Sequence, residues 1–123
     1  MNSLTNKMVA GTIMLNRQDG TKAFLVHPHE GNLEFATTSV TEEMTGLASV
    51  LKMFKEEIHI NVSAINLVEL TNAHVEEVNL PLFVFEMDEE QSNEIDQEFV
   101  WEGPSNLKNL LSSYDFNGVP QFT

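Results

Sequence analysis

The sequence predicts an α+β protein in which a mixed β-sheet is sandwiched between two helices, an α/β/α arrangement. Several short runs of β-branched or alternating apolar residues, bounded by Gly, Pro and Asp, are typical of strands. One longer stretch repeats its apolar residues at the helical period, and a second helical stretch follows near the C-terminal end. The predicted order is strand, strand, short strand, helix, strand, strand, short strand, helix, which one core can satisfy. A length of 123 residues fits one domain, residues 1–123, with its core at about residues 7–114.

The first predicted elements form a β-hairpin. Residues 7–15 predict the first strand and residues 21–27 the second. Between them, Asp19 and Gly20 form a strong turn signal, because glycine tolerates the positive φ that tight turns require. A short extended segment is predicted at residues 33–35.

The clearest helix is predicted over residues 40–58. Its apolar residues recur at intervals of three or four positions, which places them on one face: Val40, Met44, Leu47, Leu51, Phe54 and Ile58. Ser39 and Glu42 have the spacing of a capping box, with Thr41 as a competing N-cap. The helix should end before residues 59–70, which are rich in β-branched residues and predict a strand.

The second half of the chain contains one strand that should be fully buried. Residues 80–87 are almost continuously apolar, which is typical of such a strand. The other elements are a loop at residues 71–79, an acidic loop at 88–98, a short strand at 99–101, a second helix at 106–114 and a tail without periodicity at 115–123.

Composition and charge argue against several classes of function. The formal net charge is −13 with only six basic residues, so the chain lacks the basic patch that binds nucleic acid. A phosphorylated substrate would need divalent cations to reduce the repulsion. No apolar run approaches the length of a membrane span, and the N-terminal residues lack the pattern of a secretory signal. There is no cysteine, which excludes disulfides, zinc–thiolate sites and thiol catalysis. We expect a cytoplasmic protein that binds neither nucleic acid nor membrane.

One segment of the chain matches a motif of a known superfamily. Laid without gaps on that motif, residues 38–60 place Lys52 at an arginine position, Glu56 and Glu57 at a glutamate pair, and Ile60 at a closing apolar position. With the order of elements, and with residues 99–104 similar to a Trp-bearing strand before a final helix, the chain resembles the Nudix hydrolases, which are MutT-like enzymes. The resemblance covers about residues 8–114 and implies the Nudix fold.

The motif, the Nudix box, is degenerate in this chain. Two glycines of the loop before the helix are replaced by Thr37 and Thr38, and the closing glycine by His59. The first motif glutamate is Met44 and the glutamate after the arginine position is Met53. Two of the four motif carboxylates are therefore absent, together with the motif glycines.

The resemblance also implies a metal site on the helix. Nudix enzymes hold Mg²⁺ or Mn²⁺ on the motif carboxylates, so Glu56 and Glu57 are the expected ligands and catalytic residues. Positions 53, 56 and 57 share one helix face, but the thioether of Met53 is a poor ligand for a hard ion. Glu43 becomes a further candidate ligand if the helix start shifts in register.

Other candidate residues lie outside the glutamate pair. Glu98 is the expected catalytic acid of the acidic loop, because it directly precedes Phe99 at the start of the Trp strand. Lys52 and Glu34 are the expected substrate-binding residues. The pattern His27-Pro28-His29 can bind transition metals, but without nearby ligands it is more typical of exposed loop residues.

Two classes of function remain open. One is a hydrolase that cleaves a phosphoanhydride of a nucleoside diphosphate-linked compound with Mg²⁺. The other is an inactive Nudix-fold protein that binds a small ligand or a protein partner. A homodimer is also expected, because two-fold dimers are the commonest assemblies and the resemblance favours them.

Overall fold

The structure is a computed structural model that describes residues 7–41, 43–75, 78–92, 94–105 and 115–116. Its strands are β1 (Lys7–Asn16), β2 (Lys22–His29), β3 (Asn32–Glu34), β4 (Ala36–Val40), β5 (Asn66–Val75), β6 (Val78–Asp88), β7 (Val100–Glu102) and β8 (Asp115–Phe116). They form one sheet in the order β3-β2-β1-β6-β5-β8, with β4 also paired to β1 and β7 to β2. The β1–β6 pair is parallel and the others are antiparallel, so the predicted mixed sheet is confirmed. The helix predicted at residues 106–114 lies outside the described residues.

Two tight turns shape the first three strands. In the β1–β2 turn, Gly20 has a φ of 90°, and the Asp19 carboxylate accepts hydrogen bonds from the Thr21 hydroxyl at 2.6 Å and the Thr21 N–H at 2.9 Å. These hydrogen bonds lower the pKa of Asp19. In the β2–β3 turn, Glu30 and Gly31 both have positive φ, 50° and 82°, as a two-residue hairpin requires. The predicted Asp-Gly turn is therefore present.

The helix begins later than the sequence predicts. Helix α1 spans Gly46–Met53, and its N-cap is Thr45, whose hydroxyl accepts the Ala48 N–H at 3.1 Å. The capping box predicted at Ser39 is wrong, because Ser39 lies in β4 and pairs with Met8 of β1. Pairing with β1 occupies the backbone groups of β4 that a helix would otherwise use.

A π-helical turn, Phe54–Ile58, continues α1 and carries the glutamate pair. It ends at His59, which has φ 69° and ψ 42°, the left-handed conformation. The N–H groups of His59 and Ile60 both donate to the Phe54 carbonyl, the latter at 2.8 Å. His59 replaces a motif glycine, so the backbone keeps a conformation that glycine adopts without strain.

The left-handed conformation of His59 should carry a measurable cost. We expect the His59→Gly variant to be more stable than the His59→Ala variant by about 1 kcal/mol. Both variants lack the imidazole, so the difference isolates the backbone. Urea unfolding of the two proteins measures it, and equal stabilities would contradict the left-handed assignment.

One glycine lets the helix pack closely on the sheet. Val50 and Phe54 have no exposed surface and lie against β1. A Cβ atom on Gly11 would lie 2.6 Å from Val50 Cγ1 and 2.9 Å from Phe54 Cζ, distances that real contacts do not reach. The Phe54 ring also meets the Phe85 ring edge-on, with centroids 5.4 Å apart. The core on this face of the sheet therefore depends on the missing side chain at position 11.

The second face of the sheet carries its own apolar cluster. It consists of buried residues from β1, β2, β5 and β6 and from the segment between β3 and β4: Ala10, Phe24, Val26, Phe35, Ala73, Leu80, Leu82 and Val84. None of the described helices has the length and hydrophobicity that crossing a bilayer would require.

Strands β5 and β6 form a hairpin that is longer than predicted. The loop predicted at residues 71–79 is wrong, since β5 extends to Val75 and β6 begins at Val78. Polar residues such as Thr71 and Asn72 pair with β6 through their backbone, and backbone pairing does not require apolar side chains. The tail predicted without structure also contributes β8, which pairs with β5 at Ala73 and His74.

Candidate functional site

A cleft of about 440 Å³ opens where the π-helical turn, β2, β4 and the acidic loop meet. Its described lining is His27, Ala36, Thr37, Met53, Glu57, Asp96, Glu98 and Phe99. Glu57, from the Nudix-box segment, and Glu98, from the acidic loop, therefore line one cavity, although they are far apart in sequence.

The glutamate pair lies in the π-helical turn that follows Met53. Met53 ends α1 and is 2% exposed, and Glu57 lies four positions later. A π-turn is wound more widely than an α-helix, so the residues after Met53 are displaced around the axis from their α-helical positions. In the part of the chain that the structure describes, the lining includes Glu57 but not its exposed neighbour Glu56.

Hydrogen bonds fix the acidic loop against the helix end. The Asp96 N–H donates to the Ile58 carbonyl at 2.9 Å, which joins the loop to the last residue of the π-turn. The Asp96 carboxylate accepts the Glu98 N–H at 3.1 Å, and the Asp96 carbonyl accepts the Phe99 N–H at 3.0 Å. These contacts form a compact turn that places Glu98 and Phe99 at the cleft.

A histidine and an aromatic ring also line the cleft. His27 is half-buried on β2, and its ring lies 5.0 Å from the Phe99 ring, centroid to centroid, with a tilt of 32°. The sequence interpretation treats the His27-Pro28-His29 pattern as typical of an exposed loop. That interpretation fails for His27, because β2 continues through Pro28, which pairs with Leu33. The alternation along β2 is the signal that could have placed His27 on the cleft side.

A smaller cleft of about 200 Å³ adjoins the first one. Its described lining is Thr38, Ser39, Thr41, Met44, Ser49, Lys52, Met53 and Glu57. Met53 and Glu57 line both cavities and so form a shared wall. Lys52 places a cation beside Glu57 in this second cavity. A ligand that spans both clefts would meet carboxylates in one and an ammonium group in the other.

Two predicted residues are not among the described lining residues of either cleft. Glu43 is exposed and precedes the Thr45 N-cap, so the helix start does not bring it into the described lining. Glu34 is exposed on β3, directly opposite His27 in the strand register, and it is likewise not among the described lining residues.

The main cleft is electronegative. Three carboxylates, those of Glu57, Asp96 and Glu98, line it, and His27 is the single described lining residue that can carry a positive charge. Among the described residues, no group of three or more His, Asp or Glu side chains is arranged to hold a metal ion. A phosphorylated ligand would therefore enter this cleft only with a cation.

Comparisons with known proteins identify structural neighbours. No family model and no curated protein sequence matches the chain. A binary complex of C. elegans Ap4A hydrolase is similar, with a TM-score of 0.70 and 12% identity over 86% of this chain and 86% of that chain. RenU, a Nudix hydrolase from M. smegmatis, has a TM-score of 0.68 and 10% identity over 86% of this chain and 76% of that one. The NUDIX domain of Shewanella oneidensis NrtR, solved with ADP ribose, has a TM-score of 0.54 and 11% identity over 86% and 77%. Likeness at such identities shows a shared fold.

Proposed function

We propose that this chain, which has the Nudix fold, binds a nucleoside diphosphate-linked compound together with Mg²⁺ in its acidic cleft and hydrolyses the phosphoanhydride slowly. The observation that carries the proposal is that Glu57 and Glu98 line the same cleft. The neighbours support the class of ligand, since one is an Ap4A hydrolase and another was solved with ADP ribose.

The carboxylates fit one mode of Mg²⁺ binding. Mg²⁺ is commonly held by one or two carboxylates together with substrate phosphates, rather than by a cage of protein ligands. The described residues lack a set of three ligands, but this mode uses only one or two carboxylates, which Glu57 and Glu98 would supply from the lining of one cleft. Metal and phosphate should therefore bind together, and Mn²⁺ should replace Mg²⁺. The metal, when bound, would neutralise phosphate charge and polarise a phosphoryl oxygen.

Four residues of the two clefts have a part in the proposal. Glu57 and Glu98 would hold the metal, and Glu98 would also accept the proton of the attacking water. Lys52 would bind a phosphate oxygen from the adjoining cleft, which Lys52 and Glu57 both line. Asp96 would keep Glu98 in position through the hydrogen bond from the Glu98 N–H. Glu56 and Glu43 have no part, because neither is among the described lining residues.

The second candidate is binding without hydrolysis. Met53 favours it, because this buried thioether lies where the family motif has a carboxylate, and a thioether does not replace a hard ligand. In this case the cleft would hold the same ligand with Mg²⁺ but would release it unchanged. Incubation with Ap4A and ADP ribose, followed by ³¹P NMR, separates the two candidates.

Calorimetric titration of the purified protein with Mg²⁺, with and without ADP ribose, tests the site itself. We expect Mg²⁺ to bind more tightly in the presence of ADP ribose, since its phosphates complete the coordination. Glu57→Gln and Glu98→Gln should each weaken that binding by about tenfold or more, which corresponds to about 1.4 kcal/mol.

Glu56→Gln is the matched control for this experiment. It removes the same charge from the adjacent residue of the same π-turn, so the general loss of negative charge is equal. We expect its effect to stay below about twofold, because Glu56 is not among the described lining residues of either cleft and its charge is screened by solvent and salt. If Glu56→Gln and Glu57→Gln weaken Mg²⁺ binding equally, the cleft is not the metal site.

The remaining aspects of the proposal concern location and assembly. We propose that the protein acts in the cytoplasm, binds neither nucleic acid nor membrane, and forms a homodimer. The net charge of −13 supports the absence of nucleic-acid and membrane binding, because it disfavours contact with phosphate-rich surfaces.

A further inference from the structure

The two histidines at the end of β2 lie on one face of the sheet. His27 and His29 occupy alternate positions of a strand that continues to His29, and side chains at alternate positions point to the same side. Their ring centres are 6.0 Å apart, with a tilt of 37° between the ring planes. Both residues belong to the β2–β3 ladder, since His27 pairs with Glu34 and His29 with Asn32. The paired backbone therefore fixes the spacing of the two imidazoles.

This spacing suits two imidazoles that bind one metal ion. A metal–nitrogen bond to histidine is about 2.0–2.1 Å long, so two imidazoles on one ion have ring centres about 5 to 6 Å apart. The side chain of His29 is 53% exposed, which leaves its ring free to turn toward the ion. Pro28 lies between the two histidines, and its fixed φ restricts the backbone that joins them.

The ring of His27 is already ordered by a neighbour. His27 is half-buried, and its ring lies 5.0 Å from the Phe99 ring with a tilt of 32°. A ligand that is ordered beforehand loses less conformational entropy when it binds. The lone pair that binds a metal lies in the plane of the imidazole, so contact with a neighbouring ring does not use it. Phe99 therefore positions His27 without replacing the ion.

Carboxylates lie near the histidine pair. A carboxylate oxygen of Glu30 is 3.8 Å from His29 Nε2, and the exposed Glu34 is directly opposite His27. His27 also lines the acidic cleft. This negative charge attracts cations, while the imidazoles select among them. Imidazole suits Zn²⁺, Ni²⁺ and Cu²⁺, whereas carboxylates and water suit Mg²⁺ and Mn²⁺.

We propose that His27 and His29 bind a divalent transition-metal ion, of the class of Zn²⁺ and Ni²⁺, at the end of β2 beside the acidic cleft. In the described ranges of the chain, no third His, Asp or Glu side chain joins them in a metal-binding arrangement. The two imidazoles are therefore the protein ligands, and water completes the coordination. This ion differs from the Mg²⁺ of the acidic cleft in its ligands, and its binding requires neither Mg²⁺ nor a phosphorylated compound.

Calorimetric titration of the metal-free protein with Ni²⁺ and Zn²⁺ tests the histidine pair. His27→Gln and His29→Gln should each weaken Ni²⁺ binding by about tenfold or more, because two linked ligands bind far more tightly than either alone. His29→Gln should leave the binding of Mg²⁺ with ADP ribose unchanged, since His29 is not among the described lining residues of the acidic cleft. The exposed position of His29 keeps the test valid if His27→Gln folds poorly.

His59→Asn is the matched control. It removes an exposed imidazole from another part of the chain, and asparagine tolerates the left-handed backbone of position 59 better than most residues. We expect this variant to bind Ni²⁺ like the unaltered protein. Proton NMR identifies the ligands independently, because bound Ni²⁺ should broaden the imidazole resonances of His27 and His29 and leave that of His59 sharp.

Two results would overturn the inference, and they differ in meaning. If His27→Gln and His29→Gln bind Ni²⁺ as tightly as His59→Asn does, the pair is not a metal site. If only His27→Gln weakens binding, the ion lies in the acidic cleft and not between the two histidines. Either result leaves the proposed Mg²⁺ site standing, and a protein that binds Ni²⁺ through the pair but never Mg²⁺ would contradict the proposed function alone.

Discussion

Replacement of Met53 with glutamate is expected to increase the affinity of the acidic cleft for Mg²⁺ by about tenfold or more. Met53 lines both clefts beside Glu57, so an added carboxylate would join Glu57 and Glu98 as a third ligand. Its position is also the one that carries glutamate in the family motif. Calorimetric titration with Mg²⁺ and Mn²⁺ measures the gain, and hydrolysis of ADP ribose should rise with it.

The same variant should unfold more easily without metal. Position 53 is 2% exposed, and a carboxylate there loses hydration, at a cost of about 1 to 3 kcal/mol. Mg²⁺ should restore that loss, because a ligand at 100 times its Kd stabilises the folded state by about 2.7 kcal/mol. Met53→Gln introduces a side chain with the shape of glutamate but without its charge, so Mg²⁺ should not stabilise this variant. If Mg²⁺ does not raise the stability of the Met53→Glu variant, the cleft is not a metal site.

Substitution of Gly11 by alanine should produce the largest loss of stability among Gly→Ala changes at the glycines that the structure describes. The added Cβ would lie 2.6 Å from Val50 Cγ1 and 2.9 Å from Phe54 Cζ, and both of these side chains are fully buried. Relief of this overlap requires α1 to move away from β1, at a cost of about 1 to 3 kcal/mol. Urea unfolding followed by circular dichroism measures the change in the free energy of unfolding.

Gly103→Ala provides the control for Gly11→Ala. No heavy atom outside its immediate chain neighbours lies within 4 Å of a Cβ at position 103. The same added methyl group should therefore change stability by less than about 0.5 kcal/mol. If the two variants are equally stable, then α1 does not rest on Gly11 as closely as the structure indicates.

The sequence predicts those elements whose signals are local. The β1–β2 turn is signalled by the neighbouring residues Asp19 and Gly20, and β6 by an almost continuous apolar run, so both are confirmed with only small changes of boundary. The Nudix fold could also be predicted from the sequence, because the chain keeps the order of elements of that fold although several motif residues are replaced.

Elements that depend on distant pairing were missed. Ala36–Val40 reads as a loop and the start of a helix, but β1 offers this segment a strand partner and it becomes β4. The apolar spacing from Val40 to Met44 is then a coincidence, and the helix begins only after Thr45. Residues 71–75 were missed for the same reason, since their pairing with β6 is a backbone property that composition does not reveal.

Sequence reasoning named some of the residues that line the cleft and missed others. The resemblance pointed to Glu57 and Glu98, which line the cleft. It gave equal weight to Glu56, which is not among the described lining residues of either cleft. The part of Asp96 in the acidic loop depends on the hydrogen bond to the Ile58 carbonyl, a contact between segments that no local pattern predicts.

The parallel pairing of β1 with β6 has a consequence for how the chain reaches this fold. Ala10 pairs with Leu82, so the centre of the sheet joins one of the first described strands to one that is made much later. Such non-local contacts require closure of a large loop and slow the folding reaction. During synthesis, the β1–β2 hairpin can form early, because its two strands are made one after the other. The β1–β6 pairing can form only after β6 has been made. We therefore expect slow refolding from urea, with a rate limited by the closure that joins the two halves of the chain.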